Sequence, residues 1–111
     1  MRRGDVRWHQ FAPPDKRRPV LLLTRDSVSN VLTDVTVAPV TSRVREIDSE
    51  VLLTEADGMR EVCVVNLDHV QTVQRARIGA LIATLRPERM DEVGRALQFA
   101  LGFLEHAATG P

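Results

Sequence analysis

The densest cationic signal in the chain is Lys16-Arg17-Arg18-Pro19, set directly before the apolar run Val20-Leu21-Leu22-Leu23. Proline fixes its own φ and biases the residue before it toward extended backbone, so Arg18 is expected at the rigid edge of a core. A fixed guanidinium presents a planar fork of donors to phosphate and can stabilise charge that develops there in a transition state. The plainer alternative is an ion pair with an acid such as Asp15 or Asp5. A second cluster, Thr41-Ser42-Arg43 with Arg45 just beyond it, joins hydroxyls to arginines. That combination binds phosphate oxygens through charge-assisted hydrogen bonds. It equally describes a capped strand end running into a polar loop.

Other chemistries find less support. A histidine acid–base pair would require the fold to join His9 to His69. The single cysteine, Cys63, lies in the apolar run Val62-Cys63-Val64-Val65 and reads as a buried, inert thiol. No cysteine–histidine group has metal-ligand spacing, so neither a metal nor a cofactor is expected. Gly4 and Gly79 form no phosphate-cradling loop. The aromatics are few (Trp8, Phe11, Phe99 and Phe103, with no Tyr), which argues against a broad stacking platform and leaves Phe11 as the one expected stacking residue.

These residues must be positioned by a small chain. At 111 residues there is room for one domain, and 43% apolar with 27% charged residues excludes a disordered chain. The net charge of zero argues at face value against a nucleic-acid binder. Its distribution is uneven: residues 1–45 carry nine basic and four acidic side chains, a balance of +5, and residues 46–111 carry six and eleven, a balance of −5. No stretch resembles a membrane span or the apolar core of a signal peptide, so a cytoplasmic protein without membrane contact is the expectation.

Val6 and Trp8 alternate with Asp5, Arg7 and His9, predicting a half-exposed first strand over residues 4–11. Ala12 to Lys16 is a loop, and Pro19 to Leu23 a strand buried on both faces. Asp26 to Thr33 is a polar connector. A third strand covers Val35 to Thr41, where Pro39 implies an edge, a bulge or an end. Ile47, Val51 and Leu53 alternate with Asp48 and Glu50 in a fourth strand. Glu55 to Gly58 is a turn, Val62 to Asn66 a fifth strand, Val70 to Val73 a continuation of the sheet, and Leu81 to Leu85 one more short strand. Pro87 opens a C-terminal helix whose apolar face is Met90, Val93, Leu97, Ala100, Leu101 and Leu104. The fold class is therefore mainly β with a C-terminal helix: a small, strongly curved, barrel-like sheet with the helix packed on it. One domain is expected over residues 1–104, with 105–111 a loose tail. A single helix cannot cover both faces of such a sheet, which favours a homodimer.

Arg3-Gly4-Asp5-Val6, Arg17-Arg18-Pro19-Val20-Leu21, Val37-Ala38-Pro39-Val40-Thr41-Ser42 and Val64-Val65-Asn66-Leu67-Asp68, then Thr72 and the Ala96-Leu97 to Ala100-Leu101-Gly102 helix, follow one another as in the MazF/PemK toxin family. The chain resembles that family over residues 3–104, nearly its whole length. The resemblance implies the SH3-like curved barrel shared with the CcdB gyrase poisons, and a homodimer. It implies the toxin of a type II toxin–antitoxin system, a metal-independent, sequence-selective endoribonuclease that cuts single-stranded RNA, notably messenger RNA. The ribose 2′-hydroxyl attacks the adjacent phosphate and leaves a cyclic phosphate. By the same resemblance Arg18 and Thr41 are catalytic, Asp68 and His69 help read bases, and Arg43 contacts phosphate. Phe11, Asp15, Arg17 and Ser42 complete the implied RNA-binding surface. The implied partner is an antitoxin whose acidic, disordered segment covers the basic face. On the same fold, the alternatives are a non-enzymatic inhibitor of DNA gyrase and a catalytically dead binding module. Two departures stand out. The first loop is short and lacks the family's catalytic glutamate, with Asp15 as the nearest substitute, and Arg86 replaces the Ser or Thr that usually caps the helix.

Overall fold

The computed structural model describes residues 1–10 and 16–104; the expected tail from residue 105 onward, and Phe11 and Asp15 in the first loop, lie outside them. Seven antiparallel strands form the sheet: β1 (Asp5–Gln10), β2 (Arg17–Leu22), β3 (Asp34–Thr41), β4 (Glu50–Leu53), β5 (Cys63–Asn66), β6 (Gln71–Gln74) and β7 (Ile78–Thr84). One α-helix among the described residues, α1 (Pro87–Ala100), follows the strands. The strand order is β4-β5-β3-β2-β1-β7, with β6 also paired to β3.

The apolar run of β2 explains its central place. Val20, Leu21 and Leu22 are buried on alternating faces, as expected for a strand covered on both sides. Val6, Leu21, Ala38, Val40, Leu53 and Val65 meet Val93 and Ala96 of α1 in the main core, while Val20, Leu22, Val35 and Val37 form a smaller cluster. Truncating a residue such as Leu21 to Ala would cost about 2–5 kcal/mol.

β3 changes partners along its length, and this curls the sheet. One side pairs with β2 over Val37, Ala38 and Pro39. The other pairs with β6 over Asp34–Val37, then with β5 over Val40 and Thr41. Pro39 falls in the gap between β6 and β5. Of the edge, bulge or end that Pro39 implied, the edge is excluded: β3 is central, and the proline, which cannot donate to a ladder, pairs with β2 on one side and meets no strand partner on the other.

Other expectations shift for identifiable reasons. The first strand does not alternate as its sequence suggests, because Asp5 and His9 are buried at 4% and 3% exposure. Asp5 accepts hydrogen bonds from the Arg2 amide at 3.0 Å, Arg7 Nε at 3.1 Å and Thr84 Oγ1 at 3.0 Å, which satisfies a carboxylate that the pattern alone assigns to solvent. The fourth strand begins at Glu50, leaving Ile47 exposed in the preceding loop. β7 runs seven residues, longer than its apolar residues suggest, because it pairs along β1. In α1, Pro87 occupies the first turn and Arg86 makes no side-chain capping bond. Leu101 lies past the last helical turn and is exposed, so it drops out of the expected packing face.

Two glycines are required by backbone geometry. Gly4, at φ 97°, turns the chain into β1 while its amide donates to Leu22 O and its carbonyl accepts from the Leu85 amide, both at 3.0 Å. Gly58, at φ 94°, ends a short helix over Glu55–Asp57 that Thr54 and Asp57 close with reciprocal capping bonds. A Cβ there would meet Ala83 Cβ at 3.1 Å. α1 is tied to this turn by Arg89, whose Nε donates to Asp57 Oδ1 at 2.9 Å and whose other nitrogens reach Glu92 and the Leu52 carbonyl.

Candidate active site

A cleft of about 620 Å³ opens where β2 and β3 part. The first half of β2 pairs only with β1, and the end of β3 turns to β5. Continuing the β2–β3 register two residues past Val20↔Pro39 sets Arg18 opposite Thr41, and Arg17 opposite Ser42. All four line the cleft, with Lys16 beside them. The two clusters singled out in the sequence therefore meet at one place because the strands that carry them are antiparallel neighbours whose ladder has just ended. Since side chains alternate along a strand, Arg18 and Thr41 share one face, and Arg17 and Ser42 share the other.

Arg18 is exposed, and no carboxylate among the described residues comes within ion-pair distance of it. The alternative pairing with Asp5 is removed, because Asp5 sits at the far end of β1 and is occupied by Arg7 at 3.1 Å. Arg17 is also without a carboxylate among these residues, but its guanidinium carbon lies 4.4 Å from the centroid of the Trp8 ring, within the range of a cation–π contact.

Thr41 Oγ1 accepts the Arg43 amide at 3.2 Å, which uses one lone pair and keeps the hydroxyl proton available to donate. Arg43 supplies this contact through its backbone; its side chain is exposed beyond the strand and does not line the cleft.

Asp68 and His69 are not brought to the cleft. They lie in the short helix Leu67–His69 after β5, and Asp68 accepts a 2.6 Å bond from Ser49 Oγ beside a separate depression that also borders Phe99 and Gly102. Nor do His9 and His69 sit on neighbouring strands, since β2 and β3 separate β1 from β5. His9 is directly across from Arg18 in the β1–β2 ladder, yet it is buried and outside the cleft lining. Burial, helped by the charge of Arg77, holds its pKa below the ordinary histidine value, so the imidazole is neutral near pH 7.

Cys63 is buried in the cleft floor. Burial raises its thiol pKa, and the charges of Asp57 and Glu61 push it further the same way. That environment suppresses the thiolate a nucleophile needs.

Three lining residues escape sequence reasoning: Trp8, Arg60 and Glu61. Trp8 reads only as one residue of a half-exposed strand until the register Trp8↔Pro19 places it next to Arg17. Arg60 and Glu61 follow a turn and carry no local signature. Glu61 is the one carboxylate among the described residues that line the cleft, in a lining that also holds Lys16, Arg17, Arg18 and Arg60.

The chain is similar to known proteins over most of its length. The family model of PemK-like, MazF-like toxins of type II toxin–antitoxin systems matches residues 2–101. The chain is 41% identical over 90 residues to the endoribonuclease MazF3 of Mycobacterium tuberculosis, covering 78% of this chain and 87% of that protein. Among solved structures, the M. tuberculosis toxin MazF-mt6 superposes with a TM-score of 0.80 at 35% identity, over 87% of this chain and 95% of that one. A MazE–MazF structure from Deinococcus radiodurans superposes with a TM-score of 0.78 at 29% identity, over 92% and 96% of the respective chains.

Proposed function

The chain belongs to the PemK-like, MazF-like toxin family, and on that premise we propose that it is a toxin endoribonuclease that cuts single-stranded RNA at the Arg18–Thr41 end of the cleft. The observation that carries the assignment is the meeting, in one cleft, of an exposed guanidinium, uncommitted to any carboxylate among the described residues, with the Thr41 hydroxyl. A phosphodiester placed between them receives the Arg18 fork and the Thr41 O–H on its non-bridging oxygens. The ribose 2′-oxygen attacks phosphorus, the bond to the 5′-oxygen breaks, and the products are a 2′,3′-cyclic phosphate and a 5′-hydroxyl. Arg18 stabilises the charge that builds on the phosphate and donates a proton to the departing oxygen, a role suited to a group too basic to act readily as a base. Glu61, the carboxylate of the cleft, accepts the 2′-hydroxyl proton in place of the glutamate missing from the shortened loop.

Residues 1–104 form the single domain of this enzyme, which acts in the cytoplasm without metal and as a homodimer. β7 supports the dimer: it is an uncharged edge strand, paired only to β1, with Leu81 52% exposed, the kind of edge that a second chain covers. The antitoxin lays an acidic segment over Lys16, Arg17, Arg18 and Arg60, with Arg43 at the margin. Asp68 and His69 extend the RNA track outside the cleft, and Phe11 stacks on a base. The gyrase-inhibitor reading is not favoured by relatives that are named endoribonucleases. Incubation with single-stranded RNA in excess chelator is expected to yield fragments ending in cyclic phosphate and 5′-hydroxyl. Intact RNA, or fragments bearing 5′-phosphates, would contradict the proposal.

A further inference from the structure

We propose that the Trp8–Arg17 stack is the wall of a nucleobase pocket, in which Arg17 selects a base beside the cut and Trp8 is the positioning residue that holds it flat. The proposal rests on the endoribonuclease reading above but concerns a different face of the same strands. Trp8 pairs with Pro19 and Gln10 with Arg17 in the β1–β2 ladder, so Trp8 and Arg17 project to the same side, opposite to Arg18. The guanidinium carbon sits 4.4 Å from the indole centroid. One face of the guanidinium is thus covered by the ring, while Arg17 as a whole stays exposed toward the cleft.

The floor beneath this stack is apolar: Val40 and Met59 belong to the main core and Ile82 packs against it. Such a floor is a poor bed for a phosphate, whose charge it would desolvate, and a good one for the flat face of a base. Bases splayed out of single-stranded RNA stack on arginine planes as well as on aromatic rings. The cleft's 620 Å³ falls within the range of about 300–1,000 Å³ common for small-molecule pockets. Alternation along β2 then divides the labour, with Arg18 facing the phosphate and Arg17 the base next to it.

Trp8 is the only tryptophan of the chain, so its fluorescence reports directly on the pocket. Titration with a 2′-O-methyl oligonucleotide of mixed sequence is expected to change Trp8 emission, and an abasic oligomer of equal length is expected to leave it unchanged. Equal responses to the two would overturn the pocket and make Arg17 a phosphate grip. Cleavage of a random RNA pool, read by sequencing the cut ends, supplies the second arm. Arg17→Lys keeps the charge but loses the plane, and is expected to weaken the preference at one position beside the cut by about tenfold, mainly through KM. Trp8→Phe is expected to retain that preference and Trp8→Ala to lose it, with melting temperatures showing that each variant folds. Unchanged preferences in Arg17→Lys would refute base selection. If the wild-type protein cuts no RNA, the enzyme reading fails, and the comparison of base-bearing with abasic oligomers decides the pocket by itself.

Discussion

Arg7 and Arg89 lie in one kind of environment, and Arg17 and Arg18 in another. Arg7 ends on Asp5 at 3.1 Å and Arg89 on Asp57 at 2.9 Å, and both carboxylates are only 5% exposed. Asp5 also accepts from Thr84 and so ties the start of β1 to β7, and the Arg89 pair fastens the helix to the turn after β4. At the cleft, Arg17 leans on an indole and Arg18 has no carboxylate among the described residues. The same side chain is neutralised where it holds the fold and left uncommitted where a polyanion would have to bind. An arginine already satisfied by a buried carboxylate has little to offer a phosphate. One without that partner still has its full fork of donors.

Substitutions at the two places should separate cleanly. Arg18→Lys, which keeps the charge and loses the fork, is expected to slow RNA cleavage by about a hundredfold with its melting temperature unchanged. At the other place, Asp57→Ala leaves Arg89 without its buried partner and uncaps the preceding turn. It should lose about 2 kcal/mol in denaturant unfolding while each folded molecule cuts RNA normally. Thr41→Val removes one donated hydrogen bond and is expected to slow cleavage about tenfold.

A smaller effect sharpens the same contrast through pH. The folded chain holds His9 neutral below its ordinary value of 6.5, so as pH falls past that value the unfolded chain takes up a proton first. Stability should decline from there until the lowered folded pKa is passed. Asp5 adds to this in stronger acid. Burial alone would raise its pKa, but the Arg2 amide, Arg7 and Thr84 together bring it below 3.8. Its contribution is therefore complete above 3.8 and is lost as pH falls through the folded value. Urea unfolding from pH 7 to 3 measures both, and His9→Gln should flatten only the upper step.

Much of the scaffold can be read from local sequence. The apolar run at Val20, the proline that opens the helix at Pro87 and the turn at Gly58 each state their role in a few neighbouring residues. The meeting of Arg18 with Thr41 is legible through family resemblance, and the register supplies its physical reason. What stays hidden depends on distant partners. Nothing near Asp5 announces that Thr84 will donate to it, so the carboxylate reads as a solvent-facing strand residue. Trp8 and Arg17 meet only once the β1–β2 register is known, and Glu61 joins the cleft because the pairing of Thr41 with Val64 brings the start of β5 alongside the end of β3. Asp68, grouped with the RNA-binding residues by resemblance, borders a separate depression.

The most direct test of the central claim is single-turnover cleavage of one single-stranded RNA, in excess chelator, by the wild-type protein and by Arg18→Ala. Wild-type protein should convert the strand to fragments with cyclic phosphate ends, and Arg18→Ala should do so about a thousandfold more slowly while remaining folded. Cleavage by Arg18→Ala at the wild-type rate would contradict the account.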